Sequence, residues 1–270
     1  MLRQDLNTGP YQAGQGTAAT AVLGETLRAC RPGARRRRRM TDAALVVMGL
    51  IRDLQQHRGL SCAVLSGRRD VRDECEAVGE KLQRSLVAAS DPTAGWQEWF
   101  GSLPWPQIMA GWESLRHGWR GLDFHTNLTV HSALILDLVG ILCDVADTCR
   151  EAIGELQSRV ISEWPPMVEH LAMLRALGLH LIDEPAGFDD ARLCGTFKRH
   201  LHEARSTLAA TADLLDGSSQ YRLSDEAVAA VIALRDRVHI SNEPRDYHST
   251  MTRAIDAWYA QIREHLSAAR

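Results

Sequence analysis

The segment Leu54–Ser61, which reads LQQHRGLS, carries the most informative polar residues of the chain. Arg58 stands four residues after Leu54 and four before Cys62, so its stem leaves the predicted helix on or beside the apolar face. A buried guanidinium is costly unless it meets a carboxylate, backbone carbonyls or a bound anion. The spacing alone favours an internal carboxylate and leaves a bound anion as the alternative.

Motifs for metal, nucleotide or covalent chemistry are missing from the sequence. No histidine follows a glutamate by three residues, and Asp236 with His239 is the nearest approach to a bundle metal motif. His200 and His202 would lie about 200° apart around a helix, so they would not share a metal. There is no Walker A loop, GxGxxG turn or GxSxG elbow. We therefore expect no enzyme activity, no metal and no cofactor.

The six cysteines and seven tryptophans are interpreted as packing residues. No two cysteines form a CxxC pair, which favours buried thiols in a reducing, cytoplasmic compartment over disulfides or zinc. Five tryptophans fall between Trp96 and Trp119, where core packing is favoured over an aromatic ligand cage.

Composition and charge limit the classes of partner. The 270 residues are 45% hydrophobic and 24% charged, as in ordinary globular proteins. The most apolar run, 133–145, is interrupted by two aspartates, so we expect no membrane span. Residues 1–39 have a balance of +6, which leaves −9 for the rest of the chain. An acidic folded region makes nucleic acid an unlikely partner for it.

Residues 1–40 are predicted to be a disordered basic tail or a mis-assigned start. Low-complexity sequence leads into the run Arg35–Arg39, and Met40 follows at once as an alternative first residue. No apolar export signal precedes them.

Helical periodicity covers nearly all the remaining chain. The predicted helices span about 42–66, 71–89, 105–119, 122–149, 166–182, 188–216, 224–240 and 244–268, with Thr41 or Asp42 capping the first and Trp164-Pro165-Pro166 breaking the chain. This pattern predicts an all-α protein of about eight helices in two four-helix bundles, about 41–150 and 165–268, which could share long helices.

LQQHRGLS resembles the LQxERGLS signature of the nitrate- and nitrite-sensing (NIT) domain, an all-helical bacterial sensor module. Later parts of the chain are similar to later family elements, in the same order. These are the segment Gln83–Leu86, the pair Leu115-Arg116 before a long helix with His131, and the ending Tyr247–Trp258. The resemblance covers about 43–266.

The resemblance implies two helical bundles that bind nitrate or nitrite through arginines. A guanidinium suits this task because its fork matches two oxygens of a planar anion. Carried over by position, the ligand-binding arginines would be Arg58, Arg253 and Arg116, and His57, Ser61 and Thr252 would be possible accessory residues.

Two departures from the family pattern bear on the ligand. His57 replaces the glutamate of the signature, and the Gly-x-x-Arg-Ala element is reduced to Gly178–Ile182, without an arginine. The expected function is a stand-alone cytoplasmic sensor for nitrate, nitrite or a similar small anion that signals to a separate protein by helix rearrangement, with a homodimer left open as its assembly. The alternative is a helical interaction module that has lost its ligand.

Overall fold

The computed structural model describes residues 34–91, 105–184, 189–211, 219–236 and 244–268. Eight α-helices and no strand occur within these ranges. The helices are α1 (Ala34–Leu65), α2 (Arg72–Ala89), α3 (Trp105–Gly118), α4 (Phe124–Ile153), α5 (Glu155–Asp183), α6 (Ala191–Thr211), α7 (Ser219–Arg235) and α8 (Pro244–Ala268). The predicted all-α class with eight helices is confirmed.

The first helix begins earlier than the predicted cap at Thr41 or Asp42, which was wrong. Helix α1 starts at Ala34 and runs through the arginine run, where Arg37–Arg39 are exposed. Arginine is a good helix former, and Met40 is only 1% exposed and belongs to the core, so the helix is anchored through this region. Residues 34–40 of the predicted tail are thus helical, and residues 1–33 lie outside the described residues.

The predicted break at Trp164-Pro165-Pro166 is also wrong, because both prolines lie inside α5. The break falls instead at Gly154, whose φ of 90° ends α4 and starts α5. This backbone region is strained for residues with a Cβ. Proline at 166 cannot donate to the carbonyl of Ser162, and the Cys143 thiol lies 3.7 Å from that oxygen as a substitute donor.

The helices form two groups of four that share their longest members. Helix α1 packs on α2, α4 and α5, and α5 packs on α4, α6 and α8. Helix α8 also contacts α7 and α1. One continuous apolar core runs from Met40 to Leu266 through both groups. The long helices α1 and α5 therefore join the two groups, and residues between them are far from water.

Helix α8 shows why one edge of this core carries polar groups. Its apolar residues Tyr247, Met251, Trp258 and Ile262 recur at helical spacing and are buried. Thr252 follows Met251 and lies at the margin of that stripe, half-buried. The margin faces α1 and α5, so polar side chains from three helices can meet there.

Residues 124–147 of α4 have the length and apolar composition of a membrane span, and half of this stretch is buried inside the protein. Core helices of globular proteins share these properties. The tryptophans of α3 and Trp119, which follows the end of that helix, pack inward, since Trp105, Trp112 and Trp119 are at most 8% exposed. Trp96 and Trp99 lie outside the described residues.

Candidate functional site

Arg58 of α1 forms a buried ion pair with Glu169 of α5. Its Nη1 lies 2.5 Å from Oε1 of the carboxylate and its Nη2 lies 3.2 Å from Oε2. The arginine is 0% exposed and the glutamate 3%. Nη1 also donates to Ser132 Oγ at 3.0 Å. Both terminal nitrogens of Arg58 therefore have internal partners, as the internal-carboxylate interpretation expects.

The carboxylate of Glu169 is held by a second side chain that links a third helix to the pair. Gln55 Nε2 donates to Glu169 Oε2 at 2.9 Å. Tyr259 of α8 donates its hydroxyl hydrogen to Gln55 Oε1 at 2.8 Å. Burial is the largest cause that raises the pKa of Tyr259, so its hydroxyl is protonated and acts as the donor. A hydrogen-bonded chain thus runs from α8 through α1 to α5.

The other two arginines inferred from the resemblance lie elsewhere. Arg253 is on the outer face of α8, where its side chain is 58% exposed and its nearest carboxylate oxygen is 3.9 Å away on Glu226. Arg116 is on α3 and pairs with Glu113 on the same helix at 3.5 Å. The structure does not bring Arg58, Arg253 and Arg116 together in one site.

His57 is part of a buried histidine pair. Its Nδ1 lies 2.8 Å from Nε2 of His131, whose Nδ1 lies 2.8 Å from the carbonyl oxygen of Asn127. A carbonyl only accepts, so His131 carries its proton on Nδ1 and accepts from His57. Burial first, and the positive charge of Arg120 second, lower the pKa of His57 to about 4. This residue is a neutral member of the core.

Ser61 has two internal hydrogen bonds. Its hydroxyl donates to the carbonyl oxygen of Arg58 at 3.1 Å and accepts from Asn127 Nδ2 at 2.9 Å. The residue is 0% exposed. Its side chain holds the end of α1 against α4 and has no opening toward solvent.

Arg175 of α5 has a different environment from Arg58. It is 9% exposed, and Nη1 donates to Thr252 Oγ1 at 3.1 Å. No carboxylate of the described residues lies within ion-pair distance of it. Burial first, and the positive charge of Arg58 second, lower the pKa of Arg175 to about 10. The guanidinium is still charged at neutral pH, with most of its donors uncommitted.

Arg175 lines a pocket of about 320 Å³ between α1, α5 and α8. Thr252 lines the same pocket, and a Cβ added at Gly59 would lie 3.8 Å from Arg175 Nη2. Residue 59 therefore lies beside the guanidinium, at ordinary van der Waals distance. None of Arg58, Arg253 and Arg116 lines this pocket; of the accessory residues, Thr252 does and His57 and Ser61 do not.

The charges of the pocket wall favour an anion. The lining residues with charged side chains are Arg52, Arg68, Arg175, Arg245, Glu74 and Asp256. Four arginines against two carboxylates leave two positive charges in excess. Deeper in the protein, Glu169 compensates Arg58, so Arg175 is the uncompensated cation of the buried cluster. An anion bound there would remove that imbalance.

Arg175 was missed by the sequence analysis, although the signal that singled out Arg58 applies to it. It stands inside the apolar run Leu171–Leu181, three residues before Gly178. The segment Gly178–Ile182, which takes the place of the family element, lacks an arginine. The buried arginine of the second half lies on the preceding turn.

Metal ligands do not cluster in the part of the chain that the structure describes: no group of three or more His, Cys, Asp or Glu side chains is placed to hold an ion.

Comparisons with protein-family models, with curated proteins and with solved structures found no match to this chain.

Proposed function

We propose that the chain is a sensor module that binds a small anion, such as nitrate or nitrite, at Arg175 and signals to a separate protein. The observation that carries the proposal is Arg175 itself: the residue is 9% exposed, its guanidinium has one hydroxyl partner and no counter-ion among the described residues, and it faces an open pocket. A cation in that position is costly until an anion pairs with it.

The chemistry of Arg175 and Thr252 suits an oxyanion. The guanidinium offers two donors in one plane, which match two oxygens of a carboxylate-like or nitrate-like anion. Charge-assisted hydrogen bonds contribute roughly 1.5–3 kcal/mol each. Two of them total roughly 3–6 kcal/mol, which is about tens of micromolar at best, so after the cost of ordering the ligand we expect millimolar affinities.

The location of the pocket supports a signalling role. Its walls come from α1, α5 and α8, the same helices that the chain Tyr259–Gln55–Glu169 joins. A ligand that bridges Arg175 to α1 or α8 would favour one packing of these helices over another. Signalling requires such a difference in affinity between two states.

The expected setting remains the one inferred from the resemblance: a bacterial cytoplasm and an unidentified output protein. The second candidate, a helical interaction module without a ligand, rested on the absence of an arginine in the second half. Arg175 removes that reason, so the anion sensor is the better-supported proposal.

Isothermal titration calorimetry with nitrate, nitrite and chloride tests the proposal. The variants are Arg175→Gln and, as a matched control with the same change in charge, Arg253→Gln. We expect wild type and Arg253→Gln to bind an oxyanion, and Arg175→Gln to lose at least tenfold in affinity while its circular dichroism spectrum is retained.

Two results would overturn the proposal. One is the absence of both binding heat and thermal shift for wild type at millimolar anion. The other is the reverse pattern, in which Arg175→Gln binds like wild type and Arg253→Gln does not, because the site would then lie on the outer face of α8.

A further inference from the structure

We propose that the preferred ligand of this pocket is an organic acid with two anionic groups, one bound by Arg175 and the other by Arg68 and Arg245. This inference rests on the proposed function, since it assumes that Arg175 binds an anion. It goes further by naming the chemical class of the ligand, which is larger than an inorganic monoanion.

The pocket is larger than an inorganic anion requires. Liquid water occupies about 30 Å³ per molecule, and an anion of four heavy atoms needs only a small multiple of that. The pocket has about 320 Å³, which falls within the range of sites for organic ligands, roughly 300–1,000 Å³. A nitrate ion at Arg175 would leave most of this space to water.

The pocket wall has a second group of positively charged side chains. Arg68, which follows the end of α1, and Arg245, in the first turn of α8, line the pocket together with Pro244. The same three residues line an adjoining open pocket of about 410 Å³, so this part of the site leads outward. The first turn of α8 adds the positive end of a helix dipole.

The two basic groups are separated along α8. Thr252, the partner of Arg175, stands seven residues after Arg245, which corresponds to about 10 Å along the helix axis. The backbone positions that carry the two groups are therefore farther apart than the width of one carboxylate or nitrate. A short carbon chain with an anionic group at each end can span that separation.

The pocket wall also has an apolar part. It includes the side chains of Leu60, Ala63, Val71, Ala176, Leu179 and Ile255. Such a wall favours methylene groups over water. A ligand with a carbon chain and charged ends fits this pattern better than a strongly hydrated inorganic anion does.

Three carboxylates near the site limit where the ligand can bind. Asp256 already pairs with Arg52 at 2.8 Å, and Glu74 lines the same pocket. Asp183 lines the adjoining pocket beside Arg245. Arg68 has one partner, the exposed Asp70 at 3.3 Å, and Arg245 has no ion pair among the described residues. Both arginines can therefore turn toward a ligand.

The test is a calorimetric titration of the full chain with nitrate, acetate, succinate, glutarate and adipate. We expect one dicarboxylate to bind at least tenfold more tightly than acetate and nitrate. The double variant Arg68→Gln/Arg245→Gln should reduce the affinity for that dicarboxylate at least tenfold, whereas acetate and nitrate should lose less than about threefold, because the weaker positive charge of the pocket wall is their only loss. Arg175→Gln should weaken all of them.

Each other outcome contradicts a different statement. If nitrate binds and no dicarboxylate binds more tightly, the two-ended ligand is wrong and the anion sensor stands. If a dicarboxylate binds equally well to wild type and to the double variant, Arg68 and Arg245 do not form the second end. If no anion binds, the proposed function itself fails.

Discussion

Arg58 and Glu169 connect α1 to α5 through two guanidinium–carboxylate contacts, and this pairing leaves Arg175 as the excess positive charge of the buried cluster. The two arginines are close enough for the charge of Arg58 to lower the pKa of Arg175. One arginine therefore holds two helices together, while the other remains available to a ligand.

Replacing Arg58 or Glu169 alone should destabilise the protein strongly, whereas replacing both together should cost little stability. Arg58→Met leaves the Glu169 carboxylate buried with Gln55 as its remaining donor, and we expect a loss of about 3–5 kcal/mol in the free energy of unfolding. Urea denaturation followed by circular dichroism measures this loss.

The double variant Arg58→Met/Glu169→Leu is the control for that prediction. It removes both charges and fills the space with apolar atoms, so its stability should return to within about 1–2 kcal/mol of wild type. Additive losses in the double variant would show that Arg58 and Glu169 act independently.

Arg175→Met should stabilise the protein when no anion is present. Burial lowers the pKa of Arg175 from 12.5 to about 10, which means that the charged form is disfavoured in the folded state. Removing the charge should increase the free energy of unfolding by roughly 1–3 kcal/mol. The same variant should lose the increase in melting temperature that the anion produces in wild type.

Differential scanning fluorimetry with and without the anion compares the two effects. A variant that is less stable than wild type at every anion concentration would mean that Arg175 is a structural residue with an internal partner. That result would contradict its assignment as a ligand-binding group.

Helical periodicity was sufficient to predict the class and number of helices, because buried residues at 3.6-residue spacing are a local property. The exact course of α5 was not predictable in this way. Proline inside a helix is normally unfavourable, and its tolerance depends on Trp164 and Pro165 packing in a core and on Cys143 of another helix. Those contacts are tertiary.

The site was predictable in kind but not in position. Sequence analysis correctly required a partner for Arg58, yet Glu169 lies 111 residues away, and nothing local distinguishes it from the other acids. Arg175 also lies inside an apolar helical run, and the sequence did not single it out. Which of two buried arginines has the carboxylate is decided by the packing of α1 on α5, and that packing is not encoded in any short segment.

Gly178→Ala should destabilise the protein because a Cβ at this position would overlap the ring of Tyr247. Tyr247 is buried and donates its hydroxyl hydrogen to the carbonyl oxygen of Leu174 at 2.8 Å, so the ring has no room to move aside. We expect a loss of about 1–3 kcal/mol. Urea denaturation is again the measurement.

Gly140→Ala in α4 is the matched control. This helical glycine is exposed, and no neighbouring atom lies within 4 Å of an added Cβ. Its replacement should stabilise the protein by about 0.5–1 kcal/mol through helix propensity alone. Equal effects at the two positions would contradict the close contact between α5 and α8.

Acid should destabilise the fold through the pair His57 and His131. The pKa of His57 is about 4 in the folded protein and about 6.5 when unfolded. The contribution of the neutral imidazole to the free energy of unfolding is therefore complete above pH 6.5 and is lost as the pH falls toward 4. For His57 alone the loss is about 2 kcal/mol by pH 5. Burial also places the pKa of His131 well below its ordinary value, which adds to the loss.

Urea denaturation of wild type and His57→Gln at pH 7, 6 and 5 measures this contribution. The variant should show a weaker dependence on pH, whatever its stability at pH 7. A dependence identical to that of wild type would mean that the histidine does not titrate between the folded and unfolded states as described.

The most direct measurement is the location of a bound anion by crystallography. Crystals of the full chain grown or soaked in bromide, a monoanion that scatters anomalously, should show an anomalous peak within hydrogen-bond distance of Arg175 and near Thr252. A map with its strongest peak at Arg253 or Arg116, and none in the pocket between α1, α5 and α8, would contradict the assignment of Arg175 as the anion-binding residue.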